Sequence, residues 1–427
     1  MTGRPGLPGS GRGSTAAVTL GTLVLCVEGY DLFVLGAVGP ALLNHPQWHV
    51  TGSTLGLLGS LTALGMPLGS IAAGWAGDLR GRRLPMAASL VWLSLWMLLS
   101  ATAGDLGFFA VTRFATGIGL GALIPLVTAY VSESAVPARR SVQVGAGLSG
   151  VAIGGIVSGV LGRVLLPGWD FHTMFLFGVF PLLLVPMVWR LVPAPTGRAP
   201  SPEADVRTAD SGPPRQARNR AARLLTPAYR RATLLFWGAT FSGLVLVYGA
   251  GTWLPALMVR AGYDLSSSLE FSVAFNAGAV LGTLGAAVLA DRGFLKTATV
   301  TSFVLAALAM AVLSAPQPRP VLLLASAFAG LGALGTQNLV NIAVARFYPA
   351  ELRGTGLGFS LGVGRLGAIV GPSYLAAVTA LVDSPEAGFY AFAAPAVLGA
   401  LLSGMFRGPQ DTHTGRPTSL RPASTDG

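Results

Sequence analysis

The stretch GWAGDLRGRR, residues 74–83, decides the fold, because it returns in altered form in the second half of the chain. It follows an apolar segment long enough to cross a bilayer. Its counterpart is AVLADRGFLK, in which Asp291 lies 213 residues after Asp78. A second pair of loops, VPARR with Pro137 and YPAELR with Pro349, repeats at an offset of 212 residues. Two echoes at nearly one offset indicate a duplicated unit.

The composition is that of a membrane protein. Of the 427 residues, 52% are hydrophobic and only 11% are charged, and the mean hydropathy is +0.64. About a quarter of the residues in a soluble domain are charged, so a soluble fold is excluded. The net charge is +11, but the arginines lie in tails and in loops between apolar segments, as membrane topology signals do. We therefore expect a lipid bilayer as a partner and no nucleic acid.

Twelve apolar segments are long enough to cross a bilayer, which takes about 20 residues each. These spans, numbered one to twelve, cover residues 16–38, 53–76, 85–104, 107–130, 142–163, 172–192, 231–254, 269–290, 297–315, 319–342, 355–382 and 387–406. The Pro-, Ser- and Arg-rich stretch 193–230 is typical of a solvated linker, and it divides the chain into halves at 16–192 and 231–406. Residues 1–15 and 407–427 are predicted to be disordered cytoplasmic tails.

The distribution of basic residues predicts the orientation. Arginines and lysines cluster before span one and after spans two, four, six, eight and ten, whereas the opposite loops hold few. Both termini should therefore be cytoplasmic in a multi-pass protein of the plasma membrane. The sequence thus predicts an all-α membrane protein with twelve transmembrane helices in two pseudo-symmetric six-helix halves. Parallel repeats that move around a central site describe an alternating-access transporter.

Span one carries two acidic residues, Glu28 and Asp31, in an otherwise uncharged apolar stretch. An acidic side chain near the bilayer centre costs roughly 2.5–3.5 kcal/mol on insertion scales. At a spacing of i, i+3 the two carboxylates project from the same face of a helix. We predict that they carry the coupling proton; the alternative is a structural pair neutralised by a basic residue on a neighbouring helix.

Two arginines fall within apolar spans, Arg113 in span four and Arg365 in span eleven. A guanidinium is permanently charged and binds a carboxylate through two parallel hydrogen bonds, so both are predicted to bind an anionic substrate. Alternatively, Arg113 neutralises Asp31 or Glu28, and Arg365 extends to the headgroups from the end of its span.

Further candidates for substrate binding are uncharged. Gln337, Asn338 and Asn341 place amides at i, i+1 and i+4 in span ten, where they offer donors and acceptors to hydroxyls or a carboxylate. Tyr30 offers a ring that can stack on a planar ligand. The alternatives are hydrogen bonds that hold the bundle together, for the amides, and packing, for Tyr30.

The loop after span two resembles the signature of the major facilitator superfamily, and the resemblance extends along nearly the whole chain. It implies the fold above and a gate at this loop, formed by Gly74, Asp78, Gly81, Arg82 and Arg83, with Asp291 and Arg292 in the second copy. Asp78 suits a helix N-terminus, while Arg82 and Arg83 suit acidic residues at the ends of neighbouring helices. Glu133, at the end of span four, is the candidate partner. The alternative is that the basic residues only set the topology.

Within that superfamily, the chain resembles the aromatic acid:proton symporters. The stretches that carry the resemblance are EGYDLFVLGAVGPAL (28–42), RFATGIGLGALIP (113–125), GTQNLVNIAVARFYPAELRGTGLG (335–358) and GVGRLGAIVGP (362–372). Glu28 stands where the family's opening motif has an Asp. The resemblance implies proton-coupled uptake of a small organic anion, an aromatic carboxylate, by alternating access.

Other function classes have less support. An exporter or antiporter of a hydrophobic or cationic compound remains the alternative, since Glu28 and Asp31 would attract a cation directly. The four histidines are scattered and the single cysteine, Cys26, has no evident base, so we expect no enzyme active site and no metal. We expect no cofactor, and a proton gradient as the driving force. We also expect a monomer, because the duplicated unit already supplies both halves of a transporter.

Overall fold

The computed structural model describes residues 11–136, 139–193, 221–382, 384 and 386–406, without the side chains of residues 11, 12, 78, 141, 287, 291 and 350. Within this part of the chain, twelve helical segments are long and apolar enough to cross a membrane. They run Gly11–Leu43, Gly52–Arg80, Arg83–Ala101, Leu106–Ser134, Arg140–Leu165, His172–Leu191, Arg230–Arg260, Leu265–Asp291, Leu295–Leu313, Arg319–Phe347, Ala350–Leu381 and Ala387–Gly404. The prediction of twelve transmembrane helices is confirmed.

Some boundaries differ from those predicted. Span one begins at Gly11, so residues 11–15 of the predicted tail are helical. Span six is interrupted: it consists of helices His172–Leu176 and Pro181–Leu191 joined by a short 3-10 turn. In the predicted linker, residues 221–224 form a helical turn in which Leu224 is buried. Residues 1–10, 194–220 and 407–427, for which tails and a linker are predicted, lie outside the described residues.

The duplication predicted from the loops is also visible at the helix ends. Spans two and eight begin at side-chain caps 213 residues apart: Thr51 accepts a hydrogen bond from the Thr54 amide, and Asp264 accepts one from the Ser267 amide. Such caps satisfy amides that have no partner within the helix. Just after the same two spans, Gly81 and Gly293 adopt φ angles of 72° and 85°, which favour glycine.

The helix contacts follow the same two-fold repetition. Spans one and five pack together as spans seven and eleven do, and spans two and four as spans eight and ten do. Between the halves, span two packs on span eleven and span five on span eight, and span one contacts span seven. These inter-helix contacts confirm two pseudo-symmetric halves that meet along two seams.

The seams are tight at one end of the bundle. There, Ser60 on span two donates a 2.5 Å hydrogen bond to the carbonyl of Ile369 on span eleven, and Arg163 on span five pairs with Glu270 on span eight at 2.8 Å. At the opposite end of the seam helices, Cβ atoms built at Gly74, Gly285, Gly358 and Gly362 would have nothing within 4 Å. We call these ends the closed end, next to residues 44–51, and the open end, next to residues 81–82.

Candidate functional site

Glu28 and Asp31 lie at the middle of the bundle, between the two halves. Their exposed fractions are 0% and 2%, and none of the four carboxylate oxygens has a hydrogen-bond partner within the described part of the chain. A buried charged group is normally hydrogen-bonded or paired. These two carboxyl groups are therefore placed where the presence or absence of a proton has a large energetic effect.

Arg113 is enclosed within the N-terminal half. It is fully buried, donates to the Ser100 hydroxyl of span three, and lies 3.4 Å from both the sulfur of Met97 and the hydroxyl of Thr116. Its guanidinium also lies over the ring of Phe175, 4.6 Å from the centroid. The negative charge that acts on Arg113 is that of Asp31, yet its Nε and Nη1 have no hydrogen-bond partner among the described atoms. In this conformation the two residues attract each other without a direct ion pair.

Arg365 lies at the interface of the halves rather than at the headgroups. Its Nη1 donates to the hydroxyl of Tyr248 at 3.3 Å and approaches the sulfur of Met66, on the other half, at 3.2 Å. The Tyr248 hydroxyl also contacts that sulfur, at 3.4 Å. Arg365 is the positive charge that acts on Glu28. Each carboxyl group of span one thus lies within the electrostatic influence of one arginine, Asp31 of an arginine from its own half and Glu28 of one from the other half.

A cavity adjoins these charges. It lies between spans one, two and seven, and its lining includes Asp31, Leu32, Phe33, Leu35, Gly59, Thr62, Val247, Tyr248, Gly251 and Thr252. The lining combines an acid, three hydroxyl groups and the rings of Phe33 and Tyr248, and in this conformation the cavity has room for about one water-sized molecule. This mixture of polar groups and aromatic rings is the kind that recognises amphipathic ligands. Sequence reasoning missed Tyr248, although a tyrosine four residues before Thr252 in an apolar span is a polar i, i+4 pair.

The amides of span ten lie elsewhere. Gln337 donates to the side-chain oxygen of Asn341 at 3.1 Å, and its own oxygen, buried and without a partner among the described atoms, points at Gly243 of span seven. Asn338 is half-buried, and none of the three amides lines the cavity above. The structure therefore brings Gln337 and Asn341 together inside the C-terminal half, and it does not bring them to Arg113.

Tyr30 points into the N-terminal half. Its hydroxyl donates a 2.6 Å hydrogen bond to the carbonyl of Met174, and its ring centroid lies 6.4 Å from that of Phe177. The hydroxyl of Tyr30 is therefore already used by span six, and Tyr30 is not among the residues that line the cavity in this conformation.

At the open end, the basic residues of the loop have different partners. Arg82 donates a 3.3 Å hydrogen bond to Glu133, the partner suggested by the sequence. Arg83 is expected to pair with an acidic residue, but among the described residues it donates instead to the carbonyl of Trp189 and lies 4.4 Å over that ring. Carbonyls at a helix C-terminus carry partial negative charge, and a guanidinium stacks well on an indole, so no carboxylate is needed.

The other residues predicted to form the gate include Arg292 and the two acidic residues Asp78 and Asp291. Arg292 caps the end of span eight and is exposed. The predictions for the side chains of Asp78 and Asp291 lie outside what the structure describes.

At the closed end, three charges form a cluster that sequence reasoning did not assemble. Glu270 of span eight accepts from Arg163 of span five at 2.8 Å through one oxygen and from Arg319 of span ten through the other. Arg163 belongs to the opposite half, so this cluster joins the two halves. The three residues come from spans five, eight and ten, and no sequence spacing relates them.

A bundle of two parallel six-helix repeats with buried charges at their interface is the architecture of an alternating-access transporter. The family model of the Major Facilitator Superfamily matches residues 21–372 and 273–425. The chain belongs to this superfamily, and it is a multi-pass membrane transporter rather than an enzyme, as the sequence predicts.

Named relatives and solved structures agree with this assignment. The gentisate transporter of Corynebacterium glutamicum is 35% identical over 404 residues, which cover 93% of this chain and 89% of that protein. The benzoate transport protein of Acinetobacter baylyi is 31% identical over 407 residues, or 90% and 87% of the two chains. The resemblance to aromatic acid transporters is thereby confirmed. The crystal structure of a D-xylose-proton symporter matches this fold with a TM-score of 0.72 at 18% identity, over 92% of this chain and 97% of that one.

Proposed function

We propose that this transporter takes up a small aromatic carboxylate together with a proton. The observation that carries the proposal is the pair of buried carboxyl groups, Glu28 and Asp31, each without a hydrogen-bond partner in the described structure and each under the electrostatic influence of one arginine. A group that loses or gains a proton beside a fixed positive charge alters the local charge balance. The relatives named for gentisate and benzoate transport support the substrate class.

Arg365 is the residue proposed to bind the substrate carboxylate. It lies beside Tyr248 at the interface of the halves, and its fork can donate two parallel hydrogen bonds to a carboxylate. Protonation of Glu28 removes the negative charge that competes for Arg365. The aromatic ring of the bound substrate would then lie along the cavity wall, beside Phe33 and the hydroxyl groups of Thr62 and Thr252.

Asp31 and Arg113 are proposed to form the proton-coupling unit. Arg113 is fully buried and held by Ser100 and two aromatic rings, which leaves it little freedom to follow a substrate through the transport cycle. A fixed positive charge beside Asp31 lets that carboxyl group release its proton where the opposite compartment is more alkaline.

We further propose that both termini are cytoplasmic, that the protein works as a monomer and that the proton gradient is its only energy source. In that orientation the closed end faces outward and the open end faces the cytoplasm. The structure then corresponds to the inward-facing state of the cycle, in which substrate is released into the cell.

The test is uptake by the purified protein in liposomes. With an inward proton gradient, we expect accumulation of labelled gentisate, benzoate or 4-hydroxybenzoate that a protonophore abolishes. Asp31→Asn should lose this accumulation but retain exchange of internal for external substrate. Gradient-driven uptake by Asp31→Asn equal to that of the unmodified protein would refute the coupling role. Expulsion of a compound against an inward proton gradient would instead establish an antiporter.

A further inference from the structure

Ser100 is the side chain that holds Arg113. The hydrogen bonds form a chain: Arg113 donates to the Ser100 hydroxyl, which lies 2.8 Å from the Thr112 hydroxyl, which donates to the carbonyl of Phe109 at 2.7 Å. Arg113, Ser100 and Thr112 all have an exposed fraction of 0%. Thr112 donates to a backbone carbonyl and is therefore oriented to accept from Ser100, whose hydroxyl also lies 2.7 Å from the carbonyl of Trp96 on its own span. With either acceptor, the oxygen of Ser100 is left free to accept from Arg113.

This chain holds one end of the guanidinium, and no direct hydrogen bond joins Arg113 to Asp31 within the described structure. Two nitrogens of Arg113, Nε and Nη1, and both oxygens of Asp31 are buried without a hydrogen-bond partner within the described structure. These are complementary donors and acceptors, and the charge of each residue acts on the other. Leaving such groups unpaired is costly, so something must favour the observed arrangement over a direct ion pair. The contacts that do so are those of spans three and six with Arg113.

We propose that Ser100, braced by Thr112, is a positioning residue that holds Arg113 off Asp31 and thereby lets Asp31 take up its proton at the working pH. The inference rests on the proposed proton-coupled uptake. If Arg113 donated directly to Asp31, the ionised carboxylate would be favoured and the proton would bind only at lower pH. Ser100 therefore sets the pH range of transport without touching the substrate.

The other ionisable groups around this pair are few and remain in every variant. Glu28 and Tyr30 lie on span one, and Tyr248 lines the same cavity as Asp31 from span seven. Arg365 of span eleven acts on Glu28. On span six, His172 contacts the carbonyl of Ala103 and the carboxylate of Asp170, at the far end of the aromatic cluster from Arg113.

The test compares Ser100→Ala with Ser94→Ala in liposomes. Ser94 is the matched control, because it lies on the same span, is equally buried, and its hydroxyl has no partner within the described structure. In Ser100→Ala, we expect the pH of half-maximal gradient-driven uptake to move down by about one unit, the effect of one hydrogen bond to a charged group. Substrate exchange at fixed pH should stay within about twofold. Ser94→Ala should keep the original pH profile.

Two further variants make the test decisive. Ser100→Thr retains the hydroxyl and should restore the profile. Thr112→Val removes one of the two acceptors of the Ser100 hydroxyl and leaves the Trp96 carbonyl, so it should give a smaller shift in the same direction. An unchanged profile in Ser100→Ala, with wild-type uptake driven by protons, overturns this inference alone. Loss of exchange along with uptake assigns Ser100 a merely structural role and overturns it too. Absence of proton-driven uptake in the unmodified protein would instead refute the proposed function.

Discussion

The carbonyl oxygen of Gly251 lies so close to Gly36 that a Cβ atom built at Gly36 would be 1.9 Å from it. Gly36 belongs to span one and Gly251 to span seven, so this is a backbone contact between the two halves at the closed end. Only a residue without a side chain permits it. The closed end therefore depends on a steric condition that a single methyl group would violate.

Gly36→Ala is predicted to keep the closed end from closing. The fold of each half is untouched, so the protein should remain monodisperse while transport falls at least tenfold. The measurement is labelling of a cysteine introduced at Ser60, a seam residue at the closed end, in a Cys26→Ser background. Labelling by a membrane-impermeant maleimide should rise several-fold when Gly36→Ala is added.

The matched control is Gly29→Ala. A Cβ there would also lie 1.9 Å from a carbonyl oxygen, that of Val151, but both residues belong to the N-terminal half. This variant should lower the thermal stability without raising the labelling of the cysteine at position 60. Equal labelling in the two variants would show that Gly36 has no special role at the interface.

Glu270→Gln is predicted to weaken the closed end through charge. Glu270 is 17% exposed and Arg163, its partner from the other half, is 52% exposed, so solvent screens the pair and it contributes at most about 1 kcal/mol. We expect a rise of up to about fivefold in the population open at this end, reported by the same cysteine labelling. Arg163→Gln should reproduce the change, whereas Arg319→Gln, within the half of Glu270, should have a smaller effect.

Gly56→Cys combined with Ala376→Cys is predicted to lock the closed end. A Cβ built at Gly56 would lie 2.8 Å from the Cβ of Ala376 across the seam of spans two and eleven. The same Cβ would lie 2.8 Å from the carbonyl oxygen of Pro372, so the two spans must move apart by about 1 Å to admit the cysteine, which also gives the Cβ separation of about 3.8 Å that a disulfide needs. In a Cys26→Ser background, oxidation should abolish uptake and a reductant should restore it. Cross-linking that left uptake intact would mean that this end does not open during transport.

Arg365→Lys is predicted to impair substrate binding. Lysine keeps the charge but loses the planar fork, so KM for a carboxylate should rise at least tenfold. Arg113→Lys should change KM much less and should instead shift the pH profile, because Arg113 is enclosed by spans three, four and six. Kinetics of uptake at several pH values separate the two. A larger KM effect in Arg113→Lys would move the proposed substrate contact to the N-terminal half.

The spans, the two halves and the carboxyl groups of span one were all accessible from the sequence, because each is a local signal: length, hydropathy, or a charge in an apolar segment. The ion pair of Arg82 with Glu133 was accessible because the loop motif names one partner and the end of span four offers the other. The contacts that a side chain makes with other helices across the bundle could not be predicted from the sequence. Arg83 donates to a backbone carbonyl and stacks on an indole, and neither of these partners carries a charge that could be recognised in the sequence.

The remaining site residues show the same limit. Tyr248 meets Arg365 and Met66 only because three distant spans converge, and the Glu270 cluster joins spans five, eight and ten. Gln337 and Asn341, which lie one helical turn apart, form a hydrogen bond with each other and do not line the central cavity. Hydrogen-bond capacity is readable from residue type, but its direction is fixed by tertiary packing.

The two membrane arginines occupy unlike positions although the halves repeat. Arg113 is sealed inside its own half, whereas Arg365 stands at the boundary with Met66 and Tyr248. In the proposed mechanism, the N-terminal copy therefore supplies the proton-coupling arginine and the C-terminal copy supplies the arginine that binds the substrate. On that proposal, substitutions around spans seven and eleven should change which substrate is carried, while proton coupling through spans one, three and four is retained.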